Sequence, residues 1–196
     1  MDVTLNGETR LYYIVGDPIA QVKSPPGLTA ILVARGANAL VVPAHVAAAD
    51  LGAFFAAARA TRNVDGIVVT VPHKIAALDF ADEATERALF AGSTNVMRRG
   101  ADGRWRGDNT DGQGYLDGIA ARDFDIAGKT ALLVGAGGAG AAIAFEILAR
   151  GASHLKIHDI DTARRDRVIA RLDERFPGQV GIGDADPTGV DLVANA

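Results

Sequence analysis

Two hydrophobic rhythms alternate along this chain. Short apolar runs rich in Val, Ile and Leu predict strands at Leu11–Val15, Ala39–Val42, Gly66–Val71, Ala131–Val134 and Leu155–Asp159, with shorter ones at Val180–Gly183 and Val190–Ala194. Between them, helical spacing predicts helices at Leu28–Arg35, Val46–Ala60, Ala84–Phe90, Tyr115–Arg122 and Thr162–Phe176, and one that follows Gly140. Gly36 and Pro177-Gly178 stop two of these helices, and Ser24 reads as an N-cap with Pro25 or Pro26 in the first turn. Leu51, Phe54 and Phe55 form the inner face of the second helix. The β-branched run Gly66–Val71 reads as a central strand, and Gly100–Gly103 as the turn of a hairpin that returns through Arg104–Asn109. Strand and helix in alternation predict the α/β class.

The stretch between Val134 and Ala141 carries the clearest chemistry. A buried strand runs into Gly135-Ala136-Gly137-Gly138-Ala139-Gly140 and then into a helix, the context that a dinucleotide-binding turn requires. Gly135 permits a turn that a Cβ blocks, Gly137 lets a pyrophosphate approach the backbone, and Gly140 lets the helix pack closely. The amides of the first helical turn then face the anion. An acid follows at the expected distance, Asp159, at the end of the next strand. The second predicted site is Pro72-His73-Lys74, delivered to the carboxyl end of the central strand, where ligands of open α/β sheets bind. A solvated surface lysine is the plainer reading of Lys74, and capping the next helix the plainer reading of Asp111.

Composition narrows the field. The chain has 196 residues, no cysteine and a formal charge of −4 with a pI near 5.5, which argues against disulfides, thiolate metal sites and a nucleic-acid surface. His45, His73, His154 and His158 lack ligand spacing, so no metal is expected. The start of the chain shows no basic segment followed by an apolar core, and no run reaches bilayer length, so a cytoplasmic protein with no membrane partner is expected. The boundary near Thr110 gives a substrate-binding and catalytic domain over 1–110 and a Rossmann-type domain with a parallel sheet over 111–196. A last strand with nothing after it suggests a chain truncated at its C-terminus.

Four stretches in this order resemble the shikimate dehydrogenase family, including its quinate/shikimate branch: Gly16–Pro25, Val69–Lys74, Ala91–Asn95 followed by Gly107–Gly114, and Gly135–Gly140. The resemblance implies an enzyme of the shikimate pathway, in aromatic amino acid biosynthesis, that moves a hydride between nicotinamide and a secondary alcohol of a cyclic hydroxy acid. It implies that Lys74 and Asp111 are the catalytic pair, and that Ser24, Thr70 and Asn95 line the substrate pocket. A monomer or homodimer is expected.

Two positions depart from the family pattern. Val22 stands where a first serine is usual and Val68 where an asparagine is usual, which points to a cyclic acid with fewer or differently placed polar groups. NADP-using relatives typically carry Asn-Arg-Thr where this chain has Asp159-Ile160-Asp161. A carboxylate there accepts bonds from ribose hydroxyls and repels a phosphate, so NAD is expected over NADP; Arg164, Arg165 and Arg167 on the next helix are the residues that favour NADP instead, and a solvated helix face is the plainer reading of them. The competing reading is a catalytically weak dinucleotide-binding or regulatory homologue. A lysine-bearing dehydrogenase of the methylenetetrahydrofolate type fits less well with Asn109-Thr110-Asp111-Gly112.

Overall fold

The computed structural model describes residues 4–196, so the first three residues of the stretch read for a targeting signal lie outside the described residues. The chain divides into two compact units, one of residues 1–85 and 93–108, the other of 86–92 and 109–196.

The first unit is built on a six-stranded sheet. Its elements are β1 (Arg10–Gly16), α1 (Ser24–Ala34), β2 (Ala39–His45), α2 (Leu51–Ala60), β3 (Val64–Val69), the short α3 (Lys74–Ala77), β4 (Glu83–Ala84), β5 (Val96–Arg99) and β6 (Trp105–Asp108). The strand order is β2-β1-β3-β5-β6-β4; β1 runs parallel to β2 and β3, and β3, β5 and β6 pair antiparallel. Helix α2 turns Leu51, Phe55 and Ala58 inward at i, i+4 and i+7. Phe55 stacks on Phe80 with ring centroids 4.5 Å apart, while Phe54 is half-buried and meets Tyr13 edge-on. Helix α1 starts earlier than the apolar spacing suggests. Lys23 occupies the N-cap position and Ser24 is the first helical residue, so Ser24 does not cap.

The second unit contains α4 (Glu86–Ala91), α5 (Asp111–Ala120), β7 (Thr130–Val134), α6 (Gly138–Ala149), β8 (His154–His158), α7 (Thr162–Arg175), β9 (Val180–Ile182) and β10 (Leu192–Asn195). Its four strands are all parallel in the order β10-β7-β8-β9, the 4-1-2-3 arrangement of half a doubly wound sheet. Leu132, Leu133, Leu155, Ile157, Ile147 and Leu172 form the most deeply buried part of this unit. Helix α5 begins at Asp111 rather than Tyr115 because Gly112 and Gly114 are helical here. Gly112 sits where α5 crosses α6, and a Cβ on it would come within 2.2 Å of the Ala142 carbonyl oxygen. Among the described residues no helix is long and apolar enough to cross a membrane.

Candidate functional site

In the first unit, the carboxyl ends of the parallel strands gather the predicted polar residues. The Thr70 N–H donates to Val15 O at 2.9 Å and the Val69 N–H to Asn95 O at 2.8 Å, so Thr70 and Asn95 leave the sheet on either side of the β3 terminus. The approach of β1 to this point is close: a Cβ on Gly16 would lie 2.5 Å from Thr70 Cγ2. The His73 N–H then donates to Thr70 O at 2.9 Å, closing a tight turn that delivers Lys74 as the first residue of α3. The Lys74 carbonyl in turn accepts from the Thr94 N–H at 2.8 Å, which ties α3 to the Ser93–Asn95 segment. Ser24 reaches this edge along the chain, since residues 17–23 lead from the carboxyl end of β1 to the start of α1. Thr70, Lys74 and Asn95 are thus brought together by backbone hydrogen bonds within one unit, whereas Asp111 belongs to the other.

The second unit holds the glycine turn at the end of β7. Gly135 adopts φ +96°, and a Cβ there would fall 2.0 Å from the Ala196 carbonyl oxygen, so both its conformation and its surroundings demand glycine. Its N–H donates to His158 O at 2.8 Å, which fixes the turn to the end of β8. Gly140 meets backbone rather than the face of the sheet, with a would-be Cβ 2.1 Å from Gly135 O. Around Gly137, by contrast, nothing lies within 4 Å of a would-be Cβ, so the backbone is open to an approaching group. Gly137 is the N-cap of α6, and Gly138, Ala139 and Gly140 form its first turn, whose amides have no intrahelical acceptor by helix geometry. These amides lie at the point where strand order reverses between β7 and β10, whereas the Ala136 N–H, predicted to join them, is donated to Asp159 Oδ2 at 2.7 Å. Gly137 to Gly140 fit a pyrophosphate.

Beside the turn lies a cavity of about 310 Å³ whose lining includes Gly135, His158, Asp159, Ile160, Arg164 and Asn195. The Asp159 side chain is only 2% exposed. It accepts from the Ala136 N–H at 2.7 Å, the Asp161 N–H at 2.8 Å, and Arg164 Nε and Nη2 at 3.0 and 2.7 Å. The Arg164 guanidinium, and after it these amides, hold the Asp159 carboxyl well below the usual carboxylate range despite its burial. Asp161 caps α7 by accepting the Arg164 N–H at 3.0 Å. Arg164 was therefore under-read from sequence as part of a solvated face. The signal available was its spacing, five residues after Asp159 and three after a capping aspartate, which turns the side chain back toward the strand end.

A glycine turn at the switch point of a parallel sheet, in a chain that also presents a lysine at a strand end, defines an α/β protein of the dinucleotide-binding class. The family pattern of the shikimate dehydrogenase substrate binding domain matches residues 14–97. Shikimate dehydrogenase (NADP(+)) of Geobacter metallireducens is 36% identical over 182 residues, 92% of this chain and 61% of that protein. The enzyme of the same name from Rubrobacter xylanophilus is 34% identical over 200 residues, 98% of this chain and 69% of that protein. Among solved structures, the ligand-free 5-ketofructose reductase of a Gluconobacter strain matches with a TM-score of 0.85 at 28% identity, covering 97% of this chain and 70% of that one. The chain belongs to the shikimate dehydrogenase family.

The expectation of NAD is corrected by these relatives, which are named for NADP(+). The structure supplies a physical reason. The argument for NAD treated Asp159 as a bare negative charge, but its carboxylate is buried and neutralised by Arg164, which lines the same cavity.

Proposed function

We propose that this chain carries the substrate-binding and dinucleotide-binding elements of an NADP-dependent oxidoreductase acting on a secondary alcohol of a shikimate-like cyclic hydroxy acid. The observation that carries this reading is Lys74, held by backbone bonds at the carboxyl end of β3 beside Thr70 and Asn95. When bound, the nicotinamide supplies the hydride acceptor. Lys74 takes the proton of the substrate hydroxyl at its Nζ and returns it in the reverse direction. Asp111, the first residue of α5, is the carboxylate that accepts a hydrogen bond from a substrate hydroxyl. Ser24, Thr70 and Asn95 offer hydroxyl and amide partners to the rest of the ring, while Gly135 to Gly140 and Arg164 hold the dinucleotide.

Val22 and Val68 favour a cyclic acid with fewer or differently placed polar groups than shikimate. Each removes a polar partner worth about 1–3 kcal/mol in a dry site. One structural neighbour is named for reduction of a keto sugar rather than of a shikimate precursor. The test is an assay of the enzyme with NADP+ and NAD+ against shikimate, quinate and their less hydroxylated analogues. Turnover of at least one cyclic acid, with the higher kcat/KM for NADP+, is expected. Dinucleotide binding without turnover of any of them would favour the weak or regulatory homologue instead.

A further inference from the structure

The residue before Lys74 has an anchoring contact that the proposed chemistry does not use. His73 is 2% exposed, and its Nε2 lies 2.7 Å from the Val46 carbonyl oxygen. A carbonyl only accepts, so Nε2 carries the hydrogen and donates it. Val46 follows β2 directly, and its own N–H donates to Gly16 O at 3.2 Å, at the end of β1. The imidazole therefore connects the start of α3 to the ends of two strands. The His73 backbone is equally committed: its N–H closes the turn to Thr70 O at 2.9 Å, and its carbonyl accepts the Ala77 N–H at 2.8 Å. Lys74 is the next residue, with its carbonyl on the Thr94 N–H. Helix α3 is a single turn and cannot hold its own orientation, because so short a helix gains little from its internal bonds. Its direction is set by what its ends are tied to.

We propose that His73 is a positioning residue for Lys74: the Nε2–H bond to Val46 O fixes the azimuth of α3 and so the position from which Nζ meets the substrate hydroxyl. The inference rests on the proposed role of Lys74 and adds to it a residue that does not touch substrate. Misplacing a reacting group by about 1 Å can cost up to about a hundredfold in rate, while binding of a dinucleotide to the other unit does not depend on it.

The test is a double-mutant cycle in the enzyme, read as kcat and KM separately. His73→Phe fills the space without a donor. It is expected to lower kcat about tenfold, with the dinucleotide KM within about twofold of the parent. His73→Gln, whose amide nitrogen has the reach of Nε2, is expected to keep kcat within about threefold, whereas the shorter His73→Asn is expected to follow the Phe variant. This polar pair serves if the Phe variant does not fold. In a Lys74→Ala background the same His73 substitutions are expected to change residual turnover by less than about twofold, since there is no longer an amine to misplace. Equal fold losses with and without Lys74, or an unchanged kcat in both His73→Phe and His73→Asn, would overturn the inference alone. Turnover within a few-fold of the parent in Lys74→Ala would remove the proposed role of Lys74, and this inference with it.

Discussion

The two units present their chemistry in different materials. The first displays side chains at strand ends: Thr70, Lys74 and Asn95 project from a framework fixed by backbone bonds to Val15, Thr94 and Asp108. The second displays backbone: an open Gly137, a glycine turn closed against Ala196, and the first-turn amides of α6. Side chains can be exchanged one at a time without moving their framework. A backbone cradle cannot, since a Cβ added at Gly135 or Gly140 displaces main chain. This difference bears on where the sequence departs from its family. Val22 and Val68 change partners in the first unit and leave its sheet intact, while the Gly135–Gly140 run keeps all its glycines. Specificity can drift in the first unit without any change to the backbone of the second.

The contrast can be broken by substitution on either side. Lys74→Ala is expected to have the largest effect, a loss of kcat of about 10²–10⁴-fold, which is the usual contribution of a positioned acid–base group. Steady-state assays with an unchanged melting temperature would localise that loss to chemistry. Gly135→Ala is expected to act through backbone. The positive φ and the overlap with the Ala196 carbonyl force the turn to move, so NADP+ affinity measured by fluorescence or calorimetry should fall by more than about tenfold. A small change there would show that the cradle is softer than its contacts imply.

Asp159→Asn is expected to have a smaller, pH-marked effect on stability. Because the folded carboxyl sits below its ordinary range, its contribution is present above the unfolded pKa of about 4 and is lost as pH falls through the folded value. The variant should be less stable than the parent by about 1–3 kcal/mol at neutral pH, and the gap should narrow as thermal melts are taken to lower pH below about 4. A gap independent of pH across that range would show that the Arg164 pair is not its source.

How much of this was legible in the sequence depended on how local its causes were. The central strand and Lys74 were readable because a β-branched run ends in Thr70-Val71-Pro72-His73-Lys74, and that ending is local. The glycine turn between β7 and α6 was readable for the same reason, although Gly140 packs against the Gly135 carbonyl rather than the sheet. The early start of α5 was hidden because Gly112 and Gly114 read as breakers, whereas Gly112 serves a helix crossing that only the fold reveals. Helix α3 is too short to have a period. The cofactor reading failed on a pair: Asp159 alone suggests NAD, and only the return of Arg164 to the strand end cancels its charge.

The most direct test is to titrate NADP+ into Lys74→Ala and to measure turnover on the same preparation. A dissociation constant within about twofold of the parent, together with turnover reduced at least about a hundredfold, is the result expected if side-chain chemistry and backbone cradle reside in separate units. Turnover close to that of the parent, or loss of NADP+ binding in step with loss of turnover, would contradict it.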